Sequence, residues 1–270
     1  MKKAFVDTTI LVDLLLKSGQ QNVRAKAALK QFDTAELPVY AIKELSAGPL
    51  QYFAWLHNKF VVLGSYAETI DALQRMSGSP KRYLTSTAIQ VLVEAAKNPS
   101  NSAITSRELV EEYGPEADLD KMLKDRYRLS IKTMVYKAWS KRRKVTDAVV
   151  EELSCYIEEP PTEENGLIHI NSAKCKSKCA VASRLRDYPG ELAKLVEILK
   201  PEHGREGSKR YQALRHIKRK PHDHVSEDQC RSFGDAVFAI LAPVDSTILT
   251  TNRKDYEPLV SAIGKNLMVP

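Results

Sequence analysis

The sequence lacks the long apolar runs that a membrane protein needs. No uninterrupted apolar segment approaches the ~18 to 20 residues of a membrane-spanning helix. At the N-terminus, Asp7 interrupts the stretch where a signal peptide would carry its apolar region. Cysteine is also scarce, and the 4 residues are too few and too scattered for the disulfide framework of a small secreted protein. These absences predict a soluble, cytoplasmic protein with reduced thiols.

Several common catalytic signatures are missing as well. The chain has no phosphate-binding loop of the G-x-x-x-x-G-K type, no G-x-G-x-x-G, no G-x-S-x-G elbow and no H-E-x-x-H. These absences exclude the commonest nucleotide-binding, dinucleotide-binding, esterase and zinc-protease classes. With 270 residues, 43% of them hydrophobic, the chain can still bury a substantial core, which excludes intrinsic disorder as its main state.

The two ends of the chain have the pattern of an α/β fold. The apolar strand Ala4–Val6 runs through Asp7 into a helix, a further helix is predicted over 38–47, and the run 59–63 is predicted to be a buried strand. Near the C-terminus the pattern predicts a helix over 236–241 and strands over 247–250 and 266–269. We therefore expect a parallel-sheet α/β/α core.

The segment between these ends has a different pattern, because its apolar spacing is helical. Helices are predicted over 116–128, 130–143 and 146–159 among others, with one short strand-like alternation at 167–170. The predicted organisation is thus a core formed by 1–79 and 226–270, split by a large all-helical insertion over 80–225.

The positive charge of the protein is concentrated in this insertion. Residues 80–225 contain 28 Lys and Arg against 21 Asp and Glu, whereas the rest of the chain contains 13 of each. Such clusters form either a nucleic-acid-binding surface or ordinary solvated helix faces, and the sequence favours the two interpretations equally. The candidate phosphate-binding residues are Lys141, Arg142, Arg143, Lys144, Lys218, Arg219 and Lys220.

Acidic and amide side chains follow the predicted strands. Asp7 comes directly after the first strand, Asn252 follows the strand 247–250, and Asp235 begins a helix. Glu44 lies at the border of the apolar stripe of its helix. Because ligands of an open parallel sheet bind beyond the carboxyl ends of its strands, these side chains can face one crevice. Taken singly, each also suits a helix cap or a solvated surface.

Three carboxylates in one crevice repel one another, and a divalent cation relieves that repulsion. Oxygen ligands without His or Cys favour Mg²⁺ or Mn²⁺. The predicted cofactor is therefore one of these ions.

In the order of four segments the chain resembles the PIN domain, the nuclease fold of VapC-type toxins. These segments are Phe5–Leu11, Ala41–Leu45, Gly234–Ala239 and Leu249–Tyr256. The likeness covers about 1–79 and 226–270, and the segment between is much longer than in a minimal PIN domain. It implies a metal-dependent endonuclease, with RNA the commoner substrate and a 5′ phosphate left on the product.

The resemblance also implies roles for individual residues. The acidic metal ligands of the family match Asp7, Glu44 and Asp235, and the small hydroxyl residue beside the first acid matches Thr8. The fourth position, which is acidic in many members, is Asn252 here. Its amide oxygen can still coordinate a cation or position water, and Asp255 is the nearby carboxylate that could substitute for it.

Two alternative functions follow from this resemblance. The first is a Mg²⁺- or Mn²⁺-dependent endonuclease, a ribonuclease in a toxin or defence module, with nucleic acid, an antitoxin or defence partner protein, and further copies of the chain as partners. The alternative is a catalytically inactive PIN-like module that binds nucleic acid or protein. The intact acids Asp7, Glu44 and Asp235 favour the nuclease, and the neutral Asn252 favours the binding module.

The cysteines admit a separate possibility. Cys175 and Cys179, with His169 nearby, could hold a structural zinc ion, but their C-x-x-x-C spacing is not that of a zinc ribbon or finger. Further candidate ligands for the same ion come later in the chain, at His222, His224 and Cys230. Ordinary thiols are therefore the expectation for both residues.

Overall fold

The computed structural model describes residues 1–77, 82–97, 111, 114, 118–150, 156, 158–171, 180–200, 205–220 and 225–270. The strands in this part of the chain are β1 (Lys3–Val6), β2 (Thr34–Pro38), β3 (Ala148–Val150), β4 (Thr162–Glu164), β5 (Leu167–His169), β6 (Ser246–Leu249) and β7 (Asn266–Met268). The helices are α1 (Thr8–Leu15), α2 (Gln20–Leu29), α3 (Val39–Ala47), α4 (Pro49–Val62), α5 (Tyr66–Ser77), α6 (Arg82–Lys97), α7 (Leu119–Lys141), α8 (Ala180–Arg186), α9 (Pro189–Ile198), α10 (Arg205–Arg219), α11 (Glu227–Phe233), α12 (Asp235–Leu241) and α13 (Arg253–Ile263).

A five-stranded sheet forms the centre of the fold, in the order β3, β2, β1, β6, β7. Every neighbouring pair in it is parallel. The central strand β1 has an unbroken apolar run, Ala4–Val6, whose side chains are at most 1% exposed. Such a run is typical of a strand that is covered on both faces. The predicted α/β class with a parallel sheet is therefore confirmed.

The C-terminal elements agree with the sequence patterns to within one or two residues. The strands predicted at 247–250 and 266–269 are β6 and β7, and the helix predicted at 236–241 is α12. In this region the apolar runs are short and are bounded by polar turns, so the pattern alone marks the elements.

The strand predicted at 59–63 is wrong, because this segment ends helix α4. Leu56 and Phe60 are four residues apart and fully buried, as on one face of a helix, while Val62 is 70% exposed. The run is too short for its apolar content alone to distinguish a strand from a buried helix end. The second strand of the sheet is instead β2, which the analysis of the sequence missed.

Pro38 accounts for part of that error. It was expected to be the first residue of a helix, but it is the last residue of β2 and the N-cap of α3. A proline fits either position, because it lacks only a backbone donor that the start of a helix does not use.

The segment 80–225 is not all-helical, which corrects the predicted insertion. Within the helix expected at 146–159, Ala148–Val150 is strand β3 and extends the central sheet beside β2. Helices expected at 116–128 and 130–143 form the single helix α7. The alternation at 167–170 is strand β5, which pairs with β4 in an antiparallel hairpin.

Side-chain contacts also join this segment to the rest of the fold. Asn58 of α4 donates to the carbonyl of Ile168 at 2.9 Å and accepts from its amide at 2.8 Å. Glu94 of α6 is 5% exposed and accepts from the amide and the hydroxyl of Ser18 at 2.8 and 2.7 Å. The division at 79/80 itself falls outside the described residues and stays a prediction. Among the helices that the structure describes, none has the length and apolar character needed to cross a membrane.

Candidate active site

Asp7 lies at the carboxyl end of the central strand. Its amide donates to the carbonyl of Leu249 at 3.0 Å, so that β1 and β6 are still paired where the site begins. Its side chain is the N-cap of α1, where it accepts from the amide of Thr9 at 3.3 Å. Only 2% of the residue is exposed. The helix-cap interpretation of Asp7 is thus correct, but it accounts for only part of the contacts of this carboxylate.

The Asp7 carboxylate accepts three further hydrogen bonds. The hydroxyls of Thr9 and Thr250 each donate to Oδ2 at 2.7 Å. The hydroxyl of Tyr256, a fully buried residue, donates to Oδ1 at 2.8 Å. Two elements distant in sequence, the end of β6 and helix α13, therefore fix the orientation of the carboxylate.

Glu44 faces the same crevice from α3. Its Oε2 accepts from the hydroxyl of Thr8 at 2.6 Å, and Thr8 is 8% exposed. Burial first, and repulsion from the carboxylates of Asp7 and Asp235 second, raise the pKa of Glu44 to about 8 against the opposing effects of Thr8 and Lys43. The small hydroxyl residue that the sequence singled out is thus a direct partner of a candidate ligand.

Asp235 is the first residue of α12. It follows Gly234, whose φ of +46° suits glycine and turns the chain sharply between α11 and α12. Burial and repulsion from Asp7 together raise the pKa of Asp235 to about 7, against the opposing effect of Arg210. The Oδ2 atom of Asp235 lies 3.5 Å from Nη2 of Arg210.

Asn252 also reaches the crevice, at the N-cap of α13. Its Nδ2 donates to Oδ2 of Asp255 at 2.8 Å and lies 3.5 Å from Oδ2 of Asp235. The side chain therefore presents its amino group to the two acids, which is the orientation that their acceptor oxygens require. In this arrangement Asn252 bridges Asp235 and Asp255 through its amino group, and coordination through its amide oxygen would need the amide to turn.

The three candidate metal ligands share one electrostatic environment. Besides burial, repulsion from Asp7, Asp235 and Glu44 raises the pKa of the Tyr256 hydroxyl well above its usual value. Within the described ranges, however, no three His, Cys, Asp or Glu side chains are already close enough together to form a metal cage. The donor set consists of oxygens alone, so its chemistry fits a hard divalent cation such as Mg²⁺ or Mn²⁺.

Four site residues were not assigned from the sequence: Thr9, Thr250, Tyr256 and Arg210. The threonine pairs 8–9 and 250–251, placed directly after strands, could have indicated two of them. Tyr256 was named only as the last residue of the segment Leu249–Tyr256. Arg210 was counted only among the basic residues of 80–225. Its spacing from the apolar residues of α10 places it on their face of the helix.

The predicted basic cluster 141–144 lies away from this crevice. It precedes β3, and the amide of Asp147 donates to the carbonyl of Ala35 in β2 at 3.0 Å. The residues before a parallel strand lie at the amino edge of the sheet, whereas Asp7 lies at the carboxyl edge. A nucleic acid bound at the crevice would have to pass around the sheet to reach this cluster.

Two members of that cluster form ion pairs with one acid of the protein. Arg142 and Arg143 both form ion pairs with Glu158, and the Arg142 guanidinium lies 3.6 Å from the ring centroid of Trp139. Lys141 and Lys144 are exposed. The second predicted cluster, Lys218, Arg219 and Lys220, is exposed at the end of α10. Binding of nucleic acid by either cluster stays a prediction.

The predicted zinc possibility falls outside the described residues, because Cys175 and Cys179 lie there. Of the other residues considered for it, His169 is exposed on β5 and Cys230 is buried. The Sγ atom of Cys230 lies 3.6 Å from Nζ of Lys43.

Comparisons with known proteins identify no relative of this chain. No family model, no curated protein and no solved structure matches it.

Proposed function

We propose that the protein is a metal-dependent nuclease that hydrolyses phosphodiester bonds, with RNA a more favoured substrate than DNA. The observation that carries this proposal is the electrostatic coupling of three carboxylates, Asp7, Glu44 and Asp235, beyond the carboxyl edge of the central strands. The crevice is the usual ligand position of an open parallel sheet. Its donor set is the one that hard cations prefer.

The cost of this arrangement supports a cation site. Burial and mutual repulsion raise the pKa of Glu44 to about 8 and that of Asp235 to about 7. A fold that needed only helix caps would not gather such acids, because each additional buried carboxylate raises the cost of ionising the others. A cation at Asp7, Glu44 and Asp235 offsets this cost.

The residues around the carboxylates have defined roles in this proposal. Thr9, Thr250 and Tyr256 hold Asp7 in one orientation, and Thr8 holds Glu44. A divalent cation, when bound, supplies a water of lowered pKa and stabilises negative charge on the phosphate. The carboxylates then need only to hold the cation and to accept the hydrogen bonds that orient them. None of the side chains has to act as the nucleophile.

The biological setting is proposed from the PIN-like order of the motifs. That resemblance supports RNA as the substrate, a cytoplasmic toxin or defence role, an inhibitory partner protein and association with further copies of the chain. The excess of basic residues in 80–225 agrees with a polyanionic substrate.

A non-catalytic binding module is the second candidate. One observation favours it: Asn252 presents its amino group to Asp235 and Asp255, where many PIN domains have a further acid. In such a module the hydrogen bonds of Asp7 would serve only to hold α1, β6 and α13 together.

Incubation with labelled RNA and DNA, single- and double-stranded, separates these candidates. The buffers contain Mg²⁺, Mn²⁺ or EDTA, and the variants are Asp7→Asn and Asp235→Asn. Asp245→Asn is the matched control, because Asp245 is an exposed acid whose side chain pairs with Lys3. We expect cation-dependent cleavage by the wild type and the control, and none by the two site variants. Equal cleavage by Asp7→Asn and wild type refutes the assignment.

A further inference from the structure

Arg210 differs from Lys218 and Arg219 of α10 in the direction it faces. Ala213, Leu214 and Ile217 follow it at three, four and seven residues and are at most 2% exposed. These positions form one face of a helix, and Arg210 lies on it. Lys218 and Arg219, by contrast, are exposed. The helix therefore directs one guanidinium inward, toward the crevice.

The contacts of this guanidinium place it beside the candidate metal ligands. Its Nη2 lies 3.5 Å from Oδ2 of Asp235, and the two side chains are 19% and 20% exposed. It also lies 3.8 Å from the point where a Cβ on Gly234 would be, so it sits directly over the turn that starts α12. Arg210 is thus a half-buried cation contributed by the segment 80–225 to a site built by the α/β core.

Among the partners that the described part of the chain offers, Asp235 uses little of the hydrogen-bonding capacity of Arg210. A charge-assisted arginine–carboxylate pair is typically bidentate with N–O distances of about 2.7–2.9 Å. Here a single contact of 3.5 Å is the one ion pair that the described residues provide for Arg210. The planar group carries five N–H donors in a fork that matches two oxygens of a phosphate. Its geometry suits a larger oxyanion better than this carboxylate.

We propose that Arg210 binds a phosphate group of the nucleic-acid substrate beside the cation held by Asp7, Glu44 and Asp235. This inference rests on the proposed function and adds a substrate-binding residue to it. The guanidinium would then add to the charge that a cation supplies there, and both would stabilise the negative charge of the phosphate.

The proposal makes cation and substrate binding interdependent. When a cation takes the Asp235 carboxylate, Arg210 loses its partner and becomes a half-buried charge without compensation. A phosphate restores that compensation, so each ligand raises the affinity for the other. Without substrate, Arg210 instead opposes the cation, because it competes for Asp235 and repels positive charge.

Binding measurements test this without relying on turnover. The probe is a fluorescently labelled single-stranded RNA of mixed sequence, measured by anisotropy in Ca²⁺, which has the oxygen preference of Mg²⁺, and in EDTA. The variants are Arg210→Ala and Arg210→Lys. Arg24→Ala is the control, because it removes the same charge from an exposed position on α2.

We expect Arg210→Ala to weaken RNA binding about tenfold in Ca²⁺, the loss typical of one charge-assisted contact, and much less in EDTA. Arg210→Lys should be intermediate, because lysine keeps the charge and loses the fork. Arg24→Ala should match the wild type. In titrations without RNA, Mn²⁺ should bind Arg210→Ala at least as tightly as it binds the wild type.

Three results overturn the inference: unchanged RNA affinity of Arg210→Ala in Ca²⁺, an equal loss in EDTA, or weaker Mn²⁺ binding by that variant. The last would show that Arg210 only supports the structure of the site. If Arg210→Ala does not fold, the comparison of Arg210→Lys with wild type decides in the same way. A wild type that binds RNA through Arg210 but never cleaves it refutes the nuclease and not this contact. Cleavage that is insensitive to Arg210, with unchanged RNA binding, refutes this contact alone.

Discussion

Glu44→Gln should make the metal-free protein more stable at high pH. The wild-type side chain has its pKa raised from 4.5 to about 8, so the folded protein holds this proton more tightly than the unfolded chain does. Wild-type stability therefore falls as pH rises from about 4.5 to 8, because the unfolded chain gains free energy by releasing this proton while the folded protein keeps it. Glutamine stays neutral and keeps an oxygen that can accept from Thr8.

The size of the effect follows from the same values. A rise in pKa from 4.5 to about 8 corresponds to at most about 5 kcal/mol. The Glu44 side chain is partly exposed, so solvent reduces this, and we expect about 2 kcal/mol. The stabilisation should be present at pH 9 and small at pH 4.5, where the glutamate is protonated in the folded protein and half protonated in the unfolded chain.

Urea denaturation in EDTA at pH 4.5, 7 and 9 measures this difference. Glu197→Gln, on the exposed side of α9, is the control for a change of net charge. Since Asp235 also titrates in this range, the informative quantity is the difference between wild type and variant at each pH. A difference that does not grow between pH 4.5 and 9 would refute the electrostatic account of this crevice.

Three further outcomes follow from the contacts described. Tyr256→Phe removes the donor to Oδ1 of Asp7, so it should lower the free energy of unfolding by about 1–3 kcal/mol and weaken Mn²⁺ binding. Unchanged Mn²⁺ affinity would show that this hydrogen bond does not position Asp7. In Mg²⁺ titrations of cleavage, Asn252→Ala should reduce activity less than Asp7→Ala does, and Asn252→Asp should tighten Mg²⁺ binding. Equal loss of cleavage in both alanine variants would make Asn252 a full member of the site. Replacing 142–144 together by alanine should lower the melting temperature, because Glu158 loses its partners, and should reduce RNA affinity only modestly. A large loss of RNA affinity at unchanged stability would place the binding surface there.

The sequence predicted the strands whose apolar runs are continuous, and it missed those whose place depends on distant partners. Strand β1 is recognisable from Ala4–Val6 alone. Strand β2, with the sequence Thr-Ala-Glu-Leu-Pro, has little apolar character of its own and is defined by its pairing with β1 and β3. Three-residue β3 is a strand only because β2 lies beside it, and no local pattern contains that information.

The same distinction applies to the site. Asp7 and Asp235 were located because each follows or begins an element that the local pattern marks, and Glu44 because it borders the apolar stripe of its helix. The donors to Asp7 were not, since Thr250 and Tyr256 lie 243 and 249 residues away in sequence. The 3.5 Å contact between Arg210 and Asp235 likewise depends on how α10 packs, and helical periodicity does not specify that packing.

The place of β3 at the edge of the central sheet limits how far this protein can be shortened. A chain reduced to 1–79 and 226–270 would keep all three candidate metal ligands but would lose the strand that covers β2. The unpaired N–H and C=O groups of β2 would then be open to strands of other molecules, which is a common route to aggregation. Strand β3 therefore covers an edge of β2, and a shortened version would need a charged or proline-containing replacement for it.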